Sequence, residues 1–245
     1  MEGMAPQAAL GHVALVTGGA RRVGRALVDA LAMAGADVVI HHSASAQEAE
    51  SAVHEIRALG RRAAVIQADL AKPEEAASLV GRAQAELGPI DWLVNSAAIF
   101  EPLDLASTTV EAWDRTFAVD LRAPFLLSQA FARERAGGPG AIVNILDWRA
   151  LRPAADHFPY TIAKAGLAAM TRSLAVALAP AIRVNGLALG AILPPADGGT
   201  NGLDSVPAGR WARLEEVGQA LLFLLAGPDY ITGSILHLDG GRHLV

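Results

Sequence analysis

The stretch Thr17-Gly18-Gly19-Ala20-Arg21-Arg22-Val23-Gly24 decides the fold of this chain. It follows a short apolar run, His12–Thr17, and leads into a helical pattern over Val23–Ala34. A strand, a tight turn and a helix N-terminus form an anion site, because free backbone N–H groups and the helix dipole point at a phosphate. Gly18 permits the sharp turn, and Gly24 allows the helix to pack closely. The stretch alone favours a nucleotide site over a plain strand–helix turn only modestly.

Short apolar runs alternate with helical patterns along the rest of the chain. The further predicted strands are Asp37–His41, Ala63–Gln67, Ile90–Asn95, Ala141–Leu146 and Ile182–Gly186, and a helix is predicted from about Ala46 to Leu59. This order predicts one doubly wound α/β Rossmann domain over residues 1–245, with a parallel sheet of about seven strands covered by helices on both faces. Residues 193–209 are rich in Pro, Gly and Asp, which predicts a substrate loop rather than a domain boundary.

Composition excludes several classes of protein. Of 245 residues, 52% are hydrophobic and 18% charged, which excludes a disordered chain. The net charge of -5 argues against a nucleic-acid partner. The chain has no cysteine, so disulfides and thiolate chemistry are excluded, and no metal site is predicted. Residues 3–20 carry no formal charge, but Pro6, Gln7, Gly11 and His12 interrupt them and Glu2 precedes them, so we expect no membrane span, no secretion signal and a cytoplasmic location.

Two regions bear on the choice of dinucleotide. Arg21 and Arg22 lie at the helix start, where cations are disfavoured unless they face a bound phosphate. The end of the second strand contributes His42, Ser43 and Ser45 and contains no Asp or Glu. An acid there would bind the ribose diol of NAD, whereas hydroxyls and cations accommodate the extra phosphate of NADP. Taken by itself, His41–Ser45 is better explained as a solvated loop, but together with the two arginines this region favours NADP(H).

Tyr160 and Lys164 lie one helical turn apart on the same face of a predicted helix. A free tyrosine titrates near ~10, so it needs help to exchange protons at neutral pH. A lysine cation nearby, with the positive nicotinamide of an oxidised cofactor, would lower the pKa of Tyr160. The spacing occurs often by chance on amphipathic helices, and it becomes specific only when it follows a dinucleotide motif.

From His12 to its C-terminus the sequence resembles the short-chain dehydrogenase/reductase family. The matching stretches are Thr17…Gly24, Asp69-Leu70, Asn95-Ser96-Ala97-Ala98, Tyr160…Lys164, Asn185…Gly190 and Asp239-Gly240-Gly241. The resemblance implies that Tyr160 donates the proton during reduction and that Lys164 binds the nicotinamide ribose and tunes Tyr160. It further implies a cofactor site that includes Gly18, Ala20, Val23, Asp69, Leu70, Asn95, Ser96, Ala97, Gly190 and Ile192. In that site Asp69 would contact adenine, and the backbone near Ile192 would hold the carboxamide. Family members are usually homotetramers built on the helices around 108–135 and 158–178.

Departures from the family pattern narrow the resemblance. Asp147 stands 13 residues before Tyr160, where the family usually has serine, and Asp120 stands where it usually has asparagine. The sequence resembles the branch of pteridine reductases and bacterial dihydromonapterin reductases in an arginine of the glycine-rich loop, in Asp147, in Phe100 and in the ending Leu238-Asp239-Gly240-Gly241-Arg242-His243-Leu244. Asp120 is not explained by the eukaryotic members of that branch, which keep asparagine.

These features lead to a hypothesis with two alternatives. We expect an NADPH-dependent reductase of a dihydropterin. Phe100 would stack on the ring, and Asp147 and Tyr160 would hold or relay the proton that the ring nitrogen takes up. A carbonyl reductase of the 3-oxoacyl-carrier-protein type is the first alternative, although a carboxylate at 147 would repel the developing oxyanion. A catalytically silent NADP-binding sensor or scaffold is the second. Phe100 as ordinary core, and Asp147 as a helix cap or a partner of Arg149 or Arg152, are the simpler explanations of those residues.

Overall fold

The computed structural model describes residues 8–193, 203 and 205–245. Its strands are β1 (Val13–Val16), β2 (Asp37–His42), β3 (Ala63–Gln67), β4 (Trp92–Asn95), β5 (Gly140–Asp147), β6 (Ile182–Leu189) and β7 (Ile235–Leu238). Its α-helices are α1 (Arg22–Met33), α2 (Ala46–Ala58), α3 (Pro73–Leu87), α4 (Val110–Phe117), α5 (Ala123–Arg135), α6 (Phe158–Leu178) and α7 (Leu214–Ala226). Strands and helices alternate, apart from the continuous α4–α5 pair, as the apolar pattern predicts.

All seven strands pair in parallel in the order β3-β2-β1-β4-β5-β6-β7. The chain winds outward from β1 to β3, returns to pair β4 with the other side of β1, and then winds to β7. This reversal lies between β1 and β4, and in such sheets the crevice at the carboxyl ends of the strands is the usual ligand site. The predicted doubly wound α/β fold is confirmed.

Helices bury the sheet from both sides. On one face α1 and α7 pack together, with Leu27, Leu31 and Leu221 fully buried. On the other face α3 and α5 pack together around Leu79 and Phe131. Each fully buried side chain of this kind contributes about 1.5–3 kcal/mol relative to exposure. The two layers therefore hold the strand ends, and the loops that follow them, in fixed positions.

Helix α4 continues into α5 through a π-helical turn over Ala118–Arg122. A π turn inserts an extra residue into a helix and changes the direction of its side chains, and such turns occur frequently at functional sites. Here the turn places Asp120 in the interior, where the residue is 0% exposed.

Helix α6 alone, among the described helices, is long and apolar enough to cross a bilayer. It packs against β5, β6 and α4 and buries Tyr160 and Lys164. These are the properties of a core helix, and they give no support to a membrane span.

The structure departs furthest from the predicted elements in two places, and the other predicted ends differ by no more than two residues. β6 continues past Gly186 to Leu189, because a Cβ at Gly186 would lie 2.6 Å from Leu146 Cδ1 and glycine makes room for that side chain within the sheet. β7 had no predicted bounds because its four residues are only partly buried. Of the predicted substrate loop 193–209, residues 194–202 and 204 lie outside the described residues.

Candidate active site

The glycine-rich turn lies at the carboxyl end of β1, at the sheet reversal. Gly18 has φ of 64°, and a Cβ there would lie 2.9 Å from the Cα of Ala97. A Cβ at Gly24 would lie 2.0 Å from the carbonyl oxygen of Gly18. Both positions therefore require glycine, one for the approach of the β4 loop and the other for the approach of α1 to the turn.

Two side chains bind this turn to the neighbouring loops. Thr17 Oγ1 accepts hydrogen bonds from the backbone N–H groups of Ser96 (2.9 Å) and Ala97 (3.1 Å), which join β1 to the loop after β4. His41 Nδ1 accepts from Gly18 N–H at 3.1 Å, and its Nε2 lies 3.0 Å from the carbonyl oxygen of Ala68. These two contacts require the neutral ring with its proton on Nε2. Burial lowers the pKa of His41 to about 4, which keeps the ring neutral.

Arg22 occupies an unusual backbone conformation. Its φ is 53°, in the left-handed region that glycine adopts readily. The family pattern places a glycine at this position, and the conformation explains that preference. Arginine at this position therefore strains the backbone and places a guanidinium group beside the turn.

A cavity of about 710 Å³ opens over these loops and extends across β5 and β6. It is lined by most of the predicted cofactor residues, namely Gly18, Arg21, Arg22, Val23, Ser43, Asp69, Leu70, Ser96, Ala97, Tyr160, Lys164, Gly190 and Ile192. Its far end is lined by the predicted substrate residues Phe100, Asp147 and Tyr160. The structure thus brings together residues from positions 18 to 192 in one continuous site.

Four predicted cofactor residues do not line this cavity. Ala20 and His42 are buried, His42 at the last position of β2. Ser45 lies at the start of α2, beyond the rim. Asn95 is buried, and its Nδ2 donates to Asn144 Oδ1 at 2.8 Å, which links β4 to β5. His42 and Asn95 are strand residues, and successive strand side chains alternate between the faces of the sheet, so only some of them reach the crevice.

The cavity suits a dinucleotide with an additional phosphate. Arg21, Arg22 and Ser43 line it where β2 ends, and the acid that lines it beside the nucleotide loops is Asp69, after β3. Arg21 also lies 3.5 Å from Glu48, which is not among the lining residues. Asp69 Oδ1 accepts from Ala71 N–H at 3.0 Å, so this carboxylate is engaged by the backbone. The residues present therefore fit NADP(H).

Tyr160, Asp147 and Lys164 meet at the centre of the cavity wall. Tyr160 lies in the first turn of α6, and its hydroxyl donates to Asp147 Oδ2 at 3.3 Å. Lys164 is buried one turn later and donates from Nζ to the carbonyl oxygen of Ile145 at 2.9 Å. Asp147 is the last residue of β5, and its other oxygen accepts from Arg149 N–H at 2.9 Å. The carboxylate therefore both caps the following turn and touches the phenol.

Burial dominates the electrostatics of this group. It raises the pKa of Tyr160 well above its usual value, and the carboxylates of Asp147 and Asp120 raise it further. The charge of Arg149 opposes this rise in the pKa of Tyr160 but is outweighed, and the lowering by Lys164 together with a bound oxidised nicotinamide stays a prediction. Burial also raises the pKa of Asp147 and lowers that of Lys164. Each of these three shifts is in the direction of the neutral form of the group.

Asp120 is a further acid beside this group, and the sequence assigned it no role. Its Oδ1 accepts from Ile99 N–H at 2.8 Å, while Oδ2 is buried without a hydrogen-bond partner among the described residues. Burial raises the pKa of Asp120 to about 6, against the opposing effects of Lys164 and Ile99. The sequence showed only that the residue departs from the family pattern, because the π turn that buries it has no signal of its own.

Phe100 is a wall residue rather than core, since 52% of it is exposed. Its ring stacks on His157, with centroids 3.7 Å apart, and meets the Tyr160 ring edge-on at 4.7 Å. An exposed aromatic ring next to the phenol can support a flat substrate.

The site and the fold together define a nucleotide-binding oxidoreductase of the doubly wound α/β class. A family model described as enoyl-(acyl carrier protein) reductase matches residues 18–243. The chain belongs to the short-chain dehydrogenase/reductase family, and this confirms the resemblance at family level and the prediction of an oxidoreductase. The family uses NAD(P)H, which confirms the predicted class of cofactor.

Individual relatives differ in what they act on. The cis-4-hydroxycyclohexanecarboxylate dehydrogenase of Sinomonas cyclohexanicum is 39% identical over 94% of this chain and 96% of its own. The L-xylulose reductase of Mesocricetus auratus is 37% identical over 94% and 96%. The structure of FolM alternative dihydrofolate reductase 1 from Brucella canis, complexed with NADP, is 38% identical, covers 98% of this chain and 96% of that one, and superposes with a TM-score of 0.90.

Proposed function

We propose that this protein is an NADPH-dependent reductase of a dihydropterin-type substrate. The observation that carries the proposal is the contact between Asp147 and the Tyr160 hydroxyl, inside a cavity whose wall also holds the half-exposed Phe100. The likeness to a dihydrofolate reductase structure that contains NADP supports both the cofactor and the substrate class.

Tyr160, Asp147 and Lys164 would each have a separate role in such a reduction. When bound, NADPH supplies the hydride for a ring carbon. Reduction of a C=N bond also needs a proton at nitrogen, and Tyr160 holds that proton. Asp147 accepts the hydrogen bond of the phenol and, because burial raises its pKa, can itself carry a proton near the ring nitrogen. Lys164 is held by the Ile145 carbonyl, which directs its ammonium group to the cofactor ribose and the phenol.

Carbonyl reduction is the competing function, and a relative that oxidises a hydroxycyclohexanecarboxylate supports it. The Asp147→Ser variant separates the two, since it restores the hydroxyl that carbonyl reduction uses. For dihydropterin reduction we expect kcat/KM to fall by ~10²-fold, the usual effect of losing one proton-transfer group. The kcat/KM for reduction of a neutral diketone should stay the same or rise. A variant that reduces the dihydropterin as well as its parent would remove the reason for preferring pteridines.

Asp156→Ser is the matched control for this experiment. Asp156 is the other carboxylate bound to Arg149, at 2.6 Å, but it does not touch Tyr160 and does not line the cavity. We expect it to keep parental kcat/KM on the dihydropterin. An equal loss in both variants would mean that a displaced Arg149, rather than the missing carboxyl group, causes the effect.

We also propose that the protein is a homotetramer. Val110 and Phe125, on α4 and α5, and Val176, on α6, expose large apolar side chains on the helices that family members use for assembly. A second chain packed on these helices would remove that apolar surface from water.

A further inference from the structure

Two arginines line the same end of the cavity as Asp147 and Tyr160. Arg149 follows β5 in a short 3-10 turn, and Arg242 begins another, which follows β7. Both guanidinium groups contact the indole of Trp148, with distances from Cζ to the ring centroid of 4.7 Å for Arg149 and 4.4 Å for Arg242. The indole holds both cations by cation–π attraction and restricts their orientation.

The charges of the two arginines are not balanced equally. Arg149 is bound to Asp156 at 2.6 Å and lies 3.8 Å from Asp147. Within the described ranges no carboxylate lies within 4 Å of the guanidinium group of Arg242. Burial, and then the charge of Arg149, lower the pKa of Arg242 against the opposing charges of Asp147, Asp156 and Asp239.

Both side chains also retain unused donors. The Nε atoms of Arg149 and Arg242 are buried and have no hydrogen-bond partner among the described residues. A half-buried cation with a free donor costs stability unless an anion or another acceptor reaches it. Guanidinium groups bind planar carboxylates and phosphates through paired hydrogen bonds, so an anion at this end of the cavity would balance the positive charge of the two arginines.

We propose that Arg242, together with Arg149, binds an anionic group of the substrate, either a carboxylate or a phosphate. The inference rests on the proposed function only in taking this cavity as the reductase site. It narrows the substrate class to compounds that carry an anionic group, and it assigns Arg242 to substrate selection rather than to proton transfer.

The test uses two pairs of probes that differ only in charge. The pairs are dihydrofolate with its dimethyl ester, and an oxocyclohexanecarboxylate with its methyl ester. Dissociation constants are measured by calorimetry on the complex of the protein with NADP⁺, and turnover is measured with NADPH. In the parent, at least one acid should bind more tightly than its ester, and this preference should weaken as salt is added.

Arg242→Gln should raise the dissociation constant and KM of the preferred acid by about tenfold to a hundredfold, the usual effect of losing a hydrogen bond between charged groups. The ester should change by less than about twofold, within the range of a lost weak surface interaction. Arg242→Lys should restore part of the preference. Arg152→Gln is the matched control, because Arg152 donates to the Arg242 backbone carbonyl but does not line the cavity, and it should behave like the parent.

The outcomes separate this inference from the pteridine proposal. If neither pteridine turns over but the oxo acid is reduced and depends on Arg242, the pteridine proposal fails and the anion site stands. If the parent binds acids no better than esters in both pairs, or if Arg242→Gln weakens acid and ester equally, the anion site is overturned. The NADPH dissociation constant of each variant checks its folding, and a folded Arg242→Lys that retains no preference would also contradict the inference.

A phosphate probe is added as a competitor, and stronger competition by inorganic phosphate than by acetate would assign the site to phosphate esters.

Discussion

A single buried imidazole connects three strand ends at the nucleotide site. His41 accepts from the Gly18 N–H and lies within hydrogen-bond distance of the Ala68 carbonyl, so it fixes the glycine-rich turn to the ends of β2 and β3. Protonation would place a donor against the Gly18 N–H and a charge in the interior. The folded state therefore excludes the protonated ring, and the pKa falls to about 4.

This coupling predicts a specific dependence of stability on pH. Because the His41 pKa is about 4 when folded and 6.5 when unfolded, the unfolded state binds more protons between those values. The free energy of unfolding should thus rise with pH from about 4 to 6.5, by roughly 3 kcal/mol from this residue. His41→Asn keeps an acceptor for Gly18 and loses the titration. Urea unfolding across this range should show the variant about 1 kcal/mol less stable at neutral pH, the usual effect of one lost hydrogen bond.

The decisive quantity is the difference in the free energy of unfolding between His41→Asn and the parent. Asp120 titrates in the same pH range and changes the stability in the opposite direction. The folded pKa of Asp120 is raised to about 6, so its contribution declines as pH rises through that value. Asp120 is unchanged in His41→Asn, and its effect cancels in the difference. A gap between the two proteins that stays constant from pH 4 to 7 would contradict the role assigned to His41.

At the level of single residues, the sequence predicts the reacting side chains but not the residues that position them. Tyr160 and Lys164 follow from their helical spacing, and Asp147 follows from the resemblance, because it stands where the family usually has serine. Whether a polar strand residue such as His41 or Asn95 faces the crevice or the core depends on the neighbours of its strand in space. The same limit applies to Arg242, which reaches the site from the far end of the chain.

Among the elements, α1 begins in an unusual way. Arg22 has a left-handed φ of 53° at the first position of the helix, and α1 has no acid in its first turn and no side-chain cap. Nothing in the local sequence stabilises this helix start. A bound anion would supply what the cap lacks, since free N–H groups and the helix dipole both favour negative charge.

The strain at Arg22 reverses the usual order of two substitutions. Arg22→Gly and Arg22→Ala both remove the guanidinium, so both should weaken NADPH binding to a similar extent. Inside a helix, alanine is more stable than glycine by about 1 kcal/mol. At a positive φ the order inverts, and we expect Arg22→Gly to be more stable than Arg22→Ala by about 1 kcal/mol in urea unfolding without cofactor.

Arg25 provides the control for this prediction within the same helix. It lies in the regular part of α1 and makes ion pairs with Asp29 and Glu55 that both substitutions would remove equally. Arg25→Ala should therefore be more stable than Arg25→Gly. The same order at both positions would mean that Arg22 is not strained in solution.

Element order and type follow from the apolar pattern, whereas element ends do not. Gly186 reads as the end of a strand, but β6 continues through it because the glycine accommodates Leu146 of β5. The π turn at Asp120 interrupts a pattern that is helical on both sides. Both features depend on contacts between distant segments, which period and propensity do not record.

Over the whole molecule, the binding of a dinucleotide links the site to global stability. The glycine turn, Asp69 and Ser96 belong to the loops after β1, β3 and β4, and Gly190 follows β6. A ligand that contacts these loops binds only the folded chain, so it raises the free energy of unfolding in proportion to the logarithm of its concentration over its dissociation constant. The shift in melting temperature therefore measures cofactor preference without any substrate.

We expect NADPH to raise the melting temperature more than NADH at equal concentration, because Arg21, Arg22 and Ser43 line the cavity where β2 ends. A tenfold difference in affinity corresponds to about 1.4 kcal/mol of additional stabilisation. Ser43→Asp places a carboxylate beside the expected phosphate, so it should reduce the NADPH shift and increase that of NADH. Ser51→Asp adds the same charge to the exposed side of α2 and should leave both shifts unchanged. Equal shifts for the two cofactors in the parent, or a Ser43→Asp variant that still prefers NADPH by the parental margin, would refute this assignment and would transfer the choice of cofactor to residues outside the β2 end.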